Sequence, residues 1–225
     1  MAAWGTVMEK NTVRSAPGGE GAVVYVIDDD ESICAALSSL LRSSGFATRT
    51  FTRIDEFLLA PKEDVPGCLL LDVRLRGESG LTFQQSAHRY EVDMPIIFMT
   101  AHGDIEMSVR AMKAGAIDFL TKPVREQRVI DAVSTAIARH AAWRERARSE
   151  ATLRARYDQL TAREREVVSY VVEGLLNKQI AGELKLSEIT VKIHRSSAMR
   201  KLEAQSVADL VRKMEVISAA EHARN

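Results

Sequence analysis

The sequence has few of the features that mark membrane proteins and secreted proteins. Among 225 residues there are two cysteines, Cys34 and Cys68, and neither lies in a CxxC pair or near histidines at metal-ligand spacing. No apolar run approaches the roughly 18 residues that a transmembrane helix requires. The first 19 residues also lack the apolar core of a secretion signal. We therefore expect a cytoplasmic protein with no membrane partner, a disordered tail at residues 1–20, and cysteines buried as small apolar side chains.

Net charge is also absent, but only as a sum over the whole chain. Lys+Arg and Asp+Glu both number 31, so the formal net charge is zero. Residues 20–140 carry a net charge of −5, whereas residues 141–225 carry +4. An acidic first half followed by a basic second half predicts two domains with different partners.

The first half of the chain alternates short apolar runs with amphipathic stretches. Five strands alternating with five helices predict an α/β fold with a doubly wound, five-stranded parallel sheet. Gly45 and Gly115 lie where two of the helices should end. The predicted strands are AVVYVI (22–27), FATRTF (46–51), CLLLD (68–72), PIIFMT (95–100) and AIDFL (116–120).

The second half shows helical patterns only. Residues 139–159 contain no Gly or Pro, so we predict a helical linker that continues the fifth helix. In this linker Leu153 and Tyr157 lie one turn apart and could pair with a second copy of the chain. From residue 160 onward, Thr161 and Glu164 have the spacing of a helix capping box. Residues 160–225 are therefore predicted to form a small all-α domain.

Polar residues follow the predicted strands and indicate a site for phosphoryl chemistry. The carboxyl ends of parallel strands share one edge of the sheet, where ligands bind. Several carboxylates at one edge repel each other unless a cation joins them, and oxygen ligands suit Mg²⁺. Lysine and hydroxyl groups bind phosphoryl oxygens, and an aspartate can itself accept a phosphoryl group. The residues expected at this edge are Asp28, Asp29, Asp30, Asp72, Thr100 and Lys122.

Four motifs, IDDDE, LLLDVRLRGESG, MTAHGD and FLTKP, occur in order in the first domain. With them, residues 21–138 resemble a response-regulator receiver domain, which has a flavodoxin-like fold. The resemblance implies that Asp72 accepts a phosphoryl group from a sensor histidine kinase. It also implies that Asp29, Asp72 and the backbone carbonyl of Arg74 bind Mg²⁺, with Asp28 acting through a water.

The same resemblance names the residues that would respond to phosphorylation. Lys122 would contact the phosphoryl group, Thr100 would move to bind it, and Phe119 would be the switch aromatic. The peptide bond between Lys122 and Pro123 would be cis. Asp30 is expected to cap the following helix instead of joining the site.

Three residues near this site depart from the family pattern or could modulate the chemistry. Arg76 stands where the family often has proline, so we expect a less rigid turn. Arg74 could pair with the phosphoryl group or with an acid at the edge, or its side chain could simply be solvated. His102, two residues after Thr100, is another candidate modulator.

The second domain carries the text LTAREREVV, EGLLNKQIAGELKLSEITVKIHRSSAMRKL and QSVADLV. It resembles a LuxR-type helix-turn-helix domain, so the whole chain resembles a two-component response regulator of the FixJ/NarL family. The resemblance implies promoter DNA and RNA polymerase as partners. It also implies a homodimer formed on phosphorylation through the fourth helix, fifth strand and fifth helix. The stripe of Val207, Leu210, Val211 and Met214 on the last helix is either a second dimer contact or part of the domain core.

The segment from Lys185 to Lys201 holds five basic residues and one acid, which suits a helix in the major groove. Phosphate contacts position a protein on DNA, whereas base contacts specify sequence. Asn177 and Ser187 are N-cap residue types for the two helices of the motif. We expect Lys192, Ile193 and Ser196 to read base edges. We expect Lys178, Thr190 and Arg195 to contact phosphates.

Two other functions fit parts of the sequence. Residues 28–32 loosely match the DxDx[T/V] motif of a haloacid-dehalogenase-type phosphatase, with Thr100 and Lys122 following in order. That chemistry needs a further acidic pair, which the sequence lacks, and it leaves Asp72 unexplained. The basic helices could also bind a protein and not DNA. We therefore expect a transcription regulator that assists its own phosphoryl transfer and dephosphorylation, and not a metabolic enzyme.

Overall fold

The chain divides into two compact units, Met1–Arg144 and Glu145–Asn225, in a computed structural model that describes residues 21–101 and 105–222. The predicted tail at residues 1–20 and the candidate modulator His102 lie outside the described residues. The predicted domain limits, residues 21–138 and 160–225, stay predictions. Within the described ranges, no helix is long and apolar enough to cross a membrane.

The elements of the first unit follow the predicted alternation. Its strands are β1 (Val23–Ile27), β2 (Ala47–Phe51), β3 (Gly67–Asp72), β4 (Arg74–Leu75), β5 (Glu78–Ser79), β6 (Ile96–Thr100) and β7 (Asp118–Thr121). Its helices are α1 (Glu31–Ser43), α2 (Ile54–Leu59), α3 (Gly80–Ser86), α4 (Ile105–Lys113) and the start of α5 (Glu126–Asp158), with a short 3₁₀ helix at Ala87–Tyr90.

The main sheet confirms the predicted doubly wound parallel topology. Its strand order is β2-β1-β3-β6-β7, and all of its pairs are parallel. Side chains of β1 alternate between the apolar cores on the two faces of the sheet. Val24 and Val26 lie in the core with α1 and α5, whereas Tyr25 lies in the core with α2, α3 and α4. Burial on both faces explains why the central strands read as continuous apolar runs.

A two-stranded hairpin, β4 and β5, follows β3 directly and was missing from the sequence prediction. Gly77 has φ +85° in its turn, a conformation that favours glycine. Gly80 begins α3 so close to β3 that a Cβ would lie 2.4 Å from the backbone oxygen of Asp72. This close approach fixes the chain immediately after Asp72.

The second unit is built from the end of α5 and four helices around one apolar core. The helices are α6 (Ala162–Val172), α7 (Asn177–Leu184), α8 (Glu188–Lys201) and α9 (Val207–His222). The capping box of Thr161 and Glu164 is confirmed at the start of α6. Leu153 and Tyr157 pack against the core of this unit, so intramolecular packing accounts for the spacing that could have served a second copy.

The N-cap predictions for α7 and α8 had different outcomes. Ser187 caps α8 and accepts a hydrogen bond from the backbone N–H of Thr190 at 3.1 Å. Asn177 is not the cap of α7, because Leu176 occupies that position and Asn177 is the first helical residue. The side chain of Gln179 accepts the backbone N–H of Leu176 at 2.8 Å, which satisfies one donor at this helix start.

The apolar stripe of α9 is divided between core and surface. Leu210 is fully buried, and Val211 and Met214 are half-buried. Val207 is 38% exposed. Packing within the unit therefore uses most of this stripe.

In the first unit, the predicted burial of Cys34 and Cys68 as free thiols is confirmed.

Candidate functional site

The carboxyl ends of the strands bring the predicted acidic residues together at one edge of the sheet, which we call the acidic rim. Asp28 and Asp29 follow β1, and Asp72 ends β3. One carboxylate oxygen from each of these three residues lies within 4.8 Å of the others. Thr100 ends β6 and is buried, and Lys122 follows β7. This convergence is the arrangement that the sequence predicted.

Lys122 joins two of the three aspartates. Its Nζ lies 2.5 Å from Oδ2 of Asp28 and 2.7 Å from Oδ2 of Asp72. Burial raises the pKa of the Asp28 carboxyl, which is 1% exposed, although its bond to Lys122 opposes that rise. Burial alone would lower the pKa of Lys122, but its hydrogen bonds to the two carboxylates outweigh burial and raise it. Lys122 therefore stays charged and holds both acids at the rim.

Asp30 has the separate role that was predicted for it. Its side chain accepts the backbone N–H of Ser32 at 2.9 Å and caps α1. Hydrogen bonds from Ser32, the side-chain bond first, lower the pKa of the Asp30 carboxyl. The backbone N–H of Asp30 donates to Oδ1 of Asp28 at 3.1 Å, so the helix start also orients the buried acid.

Backbone contacts hold the chain around the rim. The backbone N–H of Arg74 donates to Oδ1 of Asp72 at 3.0 Å. The backbone N–H of Lys122 donates to the backbone carbonyl oxygen of Thr100 at 2.7 Å. The predicted cis peptide bond between Lys122 and Pro123 is confirmed. Phe119 is half-buried, with its ring centroid 6.4 Å from that of Phe98.

Arg76 brings a second cation to the rim that sequence reasoning did not place there. Its Nε lies 3.1 Å from Oδ2 of Asp29, and its side chain is 87% exposed. Arg74 is the residue for which the sequence indicates such a contact, but its exposed side chain forms no ion pair with any residue that the structure describes. The turn of the β4–β5 hairpin places Arg76 next to Asp29. Strands of two residues are too short to show a strand pattern in the sequence, so this hairpin was not predicted.

The donor set at the rim fits a hard divalent cation. Asp28, Asp29 and Asp72 offer carboxylate oxygens only, which are the ligands that Mg²⁺ prefers. Asp28 is engaged by Lys122, whereas Asp29 is partly exposed at the mouth of the site. The residues present therefore fit a Mg²⁺ ion.

The exposed face of α8 forms a second candidate site. The three predicted base readers line one groove of about 490 Å³. Ile189 and Ile193 are 73% and 61% exposed in this groove, although solvent exposure of large apolar side chains is unfavourable. Sequence reasoning missed Ile189 and two polar neighbours. The groove residues are Ile189, Lys192, Ile193, Ser196, Ser197 and Arg200.

The three predicted phosphate contacts differ in their surroundings. Lys178 is exposed near the start of α7, whereas Thr190 and Arg195 are half-buried. The Oγ1 of Thr190 lies 2.8 Å from the hydroxyl of Ser187. Arg195 donates from Nη1 to Oδ1 of Asn177 at 2.9 Å, so Arg195 also fixes α8 against the start of α7.

An ion pair with a buried glutamate anchors the C-terminal end of α8. Nζ of Lys201 lies 2.6 Å from Oε2 of Glu164, which is buried at the start of α6. Burial would raise the pKa of Glu164, but bonds from Lys201, Ser197 and the Thr161 backbone hold it at about 2. Helix α8 is thus attached to the helices behind it at its middle and at its C-terminal end.

Two family models match the chain. The model for the response regulator receiver domain matches residues 24–134. The model for bacterial regulatory proteins of the luxR family matches residues 158–214. Each match covers the unit that contains the corresponding site.

Known relatives match most of this chain and most of their own length. Nodulation protein W of Bradyrhizobium diazoefficiens is 47% identical over 196 residues, or 87% of this chain and 86% of the relative. Transcriptional regulatory protein FixJ of Azorhizobium caulinodans is 41% identical over 195 residues, covering 86% of this chain and 92% of that protein. The solved structure of the response regulator StyR has a TM-score of 0.78 and 44% identity, covering 86% of this chain and 98% of the other.

Proposed function

The chain belongs to the two-component response regulators of the FixJ/NarL type, with a receiver domain and a LuxR-type DNA-binding domain, and from this premise we propose that phosphorylation of Asp72 controls its binding to promoter DNA. The family regulates transcription and is not a class of metabolic enzymes. The donor would be a sensor histidine kinase.

The observation that carries this proposal is the set of three carboxylates, two of which bond to Lys122. Oδ2 of Asp72 lies 2.7 Å from Nζ of Lys122, so a cation is in place where negative charge increases on phosphorylation. A carboxylate oxygen of Asp72 forms the new P–O bond while the P–N bond of a kinase phosphohistidine breaks, and the nitrogen keeps the electron pair. Lys122 then holds a phosphoryl oxygen.

Mg²⁺ would be held by Asp29, Asp72 and the backbone carbonyl of Arg74, with Asp28 acting through a water. When bound, the ion neutralises charge on the phosphoryl oxygens. Asp28 keeps Lys122 oriented through their 2.5 Å contact. The haloacid-dehalogenase alternative leaves this position of Asp72 without a role.

The response to phosphorylation would pass through Thr100 and Phe119 to the face formed by α4, β7 and α5. The Thr100 hydroxyl binds the phosphoryl group, and Phe119 follows inward from its half-buried position. Val109 and Met112 on α4 are about half exposed, which gives this face apolar surface for a second copy. A phosphoryl group shifts the protein toward the dimer only as far as it interacts more favourably with the dimer than with the monomer.

A dimer would present two α8 helices to successive half-sites of promoter DNA. The exposed side chains of Lys192, Ile193 and Ser196 would contact base edges, while Lys178, Thr190 and Arg195 would contact phosphates. RNA polymerase would be the further partner at the promoter. A protein partner for α8 is the alternative, and it predicts no salt-dependent affinity for duplex DNA.

The phosphoacceptor is tested with the Asp72→Asn variant. Intact-mass spectrometry after incubation with Mg²⁺ and acetyl phosphate should show one phosphoryl group on the wild type and none on the variant. Asp64→Asn, which changes an exposed acid in the loop before β3, is the matched control and should be phosphorylated normally. Normal phosphorylation of Asp72→Asn would contradict the assignment.

A further inference from the structure

The contact between Arg76 and Asp29 places a fixed positive charge at the carboxylate that best fits a divalent cation. Nε of Arg76 lies 3.1 Å from Oδ2 of Asp29. Asp29 is the partly exposed acid of the rim, whereas Asp28 is buried and engaged by Lys122. The guanidinium therefore occupies the solvent-facing approach to the site.

We propose that Arg76 competes with Mg²⁺ for Asp29 and so sets the Mg²⁺ concentration at which the acidic rim becomes competent for phosphorylation. This inference rests on the proposed function of the rim. Arg76 is a positioning residue here, since it acts on phosphorylation only through Asp29 and the ion.

Competition follows whichever oxygen of Asp29 the ion uses. A Mg²⁺ ion on Oδ2 would share that oxygen with the guanidinium or displace it, and the two cations repel each other at so short a distance. An ion on Oδ1 would leave Arg76 in place but would lie within a few ångströms of a like charge, which is repulsive. Lys122 bonds to Asp28 and Asp72, so the competition at Asp29 is assigned to Arg76.

The size of the effect follows from the exposure of Arg76. Its side chain is 87% exposed, and exposed ion pairs are weak and screened by salt. We therefore expect Arg76→Ala to bind Mg²⁺ about two- to fivefold more tightly at low ionic strength, an exposed-pair effect. The difference should shrink as salt is added, because the competing pair is then already weakened.

Isothermal titration calorimetry of the full chain with MgCl₂ tests the inference directly. The matched control is Arg89→Ala, which removes the same charge from the 3₁₀ helix that precedes β6 at the opposite edge of the sheet. The control should bind Mg²⁺ like the wild type. Arg76→Lys should bind with an affinity between those of the wild type and Arg76→Ala, since it keeps the charge but loses the fixed guanidinium geometry.

Phosphorylation gives the second readout. The Mg²⁺ concentration for half-maximal phosphorylation by acetyl phosphate should fall by the same factor in Arg76→Ala, with an unchanged plateau. Equal or weaker Mg²⁺ affinity in Arg76→Ala would overturn the inference, and weaker affinity would show that Arg76 orients Asp29 for the ion. A wild-type chain that binds no Mg²⁺, or an Asp29→Asn variant with undiminished binding, would instead contradict the proposed function of the rim.

Discussion

Lys122 makes the cluster of acids at the rim tolerable. A buried carboxylate is costly unless it is paired, and Asp28 is 1% exposed. Lys122 bonds to Asp28 and Asp72 together, whereas Asp29 remains open to solvent and to Arg76. The three aspartates thus have different partners, although they lie within one small volume. This difference is what would allow one, in the proposed function, to accept a phosphoryl group while another faces the metal.

Glu164 gives a residue-scale prediction about acid stability. Its pKa is lowered to about 2 from the usual 4.5, so its ionised form stabilises the fold fully above about pH 4.5. This contribution is lost as the pH falls toward 2. Glu164→Gln should reduce the free energy of unfolding of the second unit by about 2 kcal/mol at neutral pH.

Chemical denaturation of the full chain at neutral pH and near pH 3 measures this effect. The difference between wild type and Glu164→Gln should be smaller at the lower pH, because protonation of Glu164 in the unfolded chain then offsets part of what the ion pair contributes. Glu166→Gln, an exposed position two residues further along α6, is the control and should change stability little. A difference that does not depend on pH would contradict a role for the charge of Glu164.

Local sequence patterns predicted capping residues only where the cap is a local contact. Asp30 and Ser187 cap the helices that follow them, as their residue types indicated. Asn177 does not cap α7, because Leu176 occupies the cap position. The side chain of Asn177 instead accepts a hydrogen bond from Arg195, which lies 18 positions away in the sequence. Arg76 was missed for the same reason, since its partner Asp29 is 47 positions away.

Helix α8 combines two points of attachment with an open face. Lys201 and Arg195 tie it to α6 and α7, while Ile189 and Ile193 are largely exposed. Apolar side chains on such a face can contact thymine methyl groups. Attachment at these two points would lower the entropy lost if the helix enters a groove.

Lys192 and Lys178 separate base readout from phosphate contact. Lys192→Ala should weaken binding to a specific site by about 1–3 kcal/mol, the range for a base contact, with a smaller loss on random duplex DNA. Lys178→Ala should weaken binding to both DNAs by similar factors, because phosphate contacts carry no sequence information. Competition gel shifts at fixed salt measure both effects.

Lys185→Ala is the control for these variants, since Lys185 lies at the left-handed C-cap of α7 and outside the α8 groove. Its effect on the ratio of specific to random binding should be small. Equal losses for Lys192→Ala on specific and random DNA would contradict the placement of Lys192 against base edges.

The long elements of the fold were predictable because each has a strong pattern. The five strands of the main sheet follow from apolar runs that alternate with helices, and their order places the polar residues at one edge. The β4–β5 hairpin has two residues in each strand, too few to show a period of two. The approach of Gly80 to Asp72 also depends on tertiary packing, which no local pattern contains.

At the scale of the whole molecule, the two units differ in net charge and in the candidate site that each contains. The acidic first unit holds the rim, for which we propose a cation and a phosphoryl group, and the basic second unit holds the α8 groove. The family match assigns one known domain type to each. The proposed function joins them by one event, since phosphorylation at the rim changes how two copies of α8 meet DNA.

The most direct test of this account is the affinity of the full chain for one promoter fragment with and without phosphorylation. Fluorescence anisotropy titrations with Mg²⁺ present, with and without acetyl phosphate, give the two affinities for the wild type and for Asp72→Asn. The account predicts tighter and more cooperative binding of the phosphorylated wild type, and no change for Asp72→Asn. Equal affinities of phosphorylated and unphosphorylated wild type would contradict it.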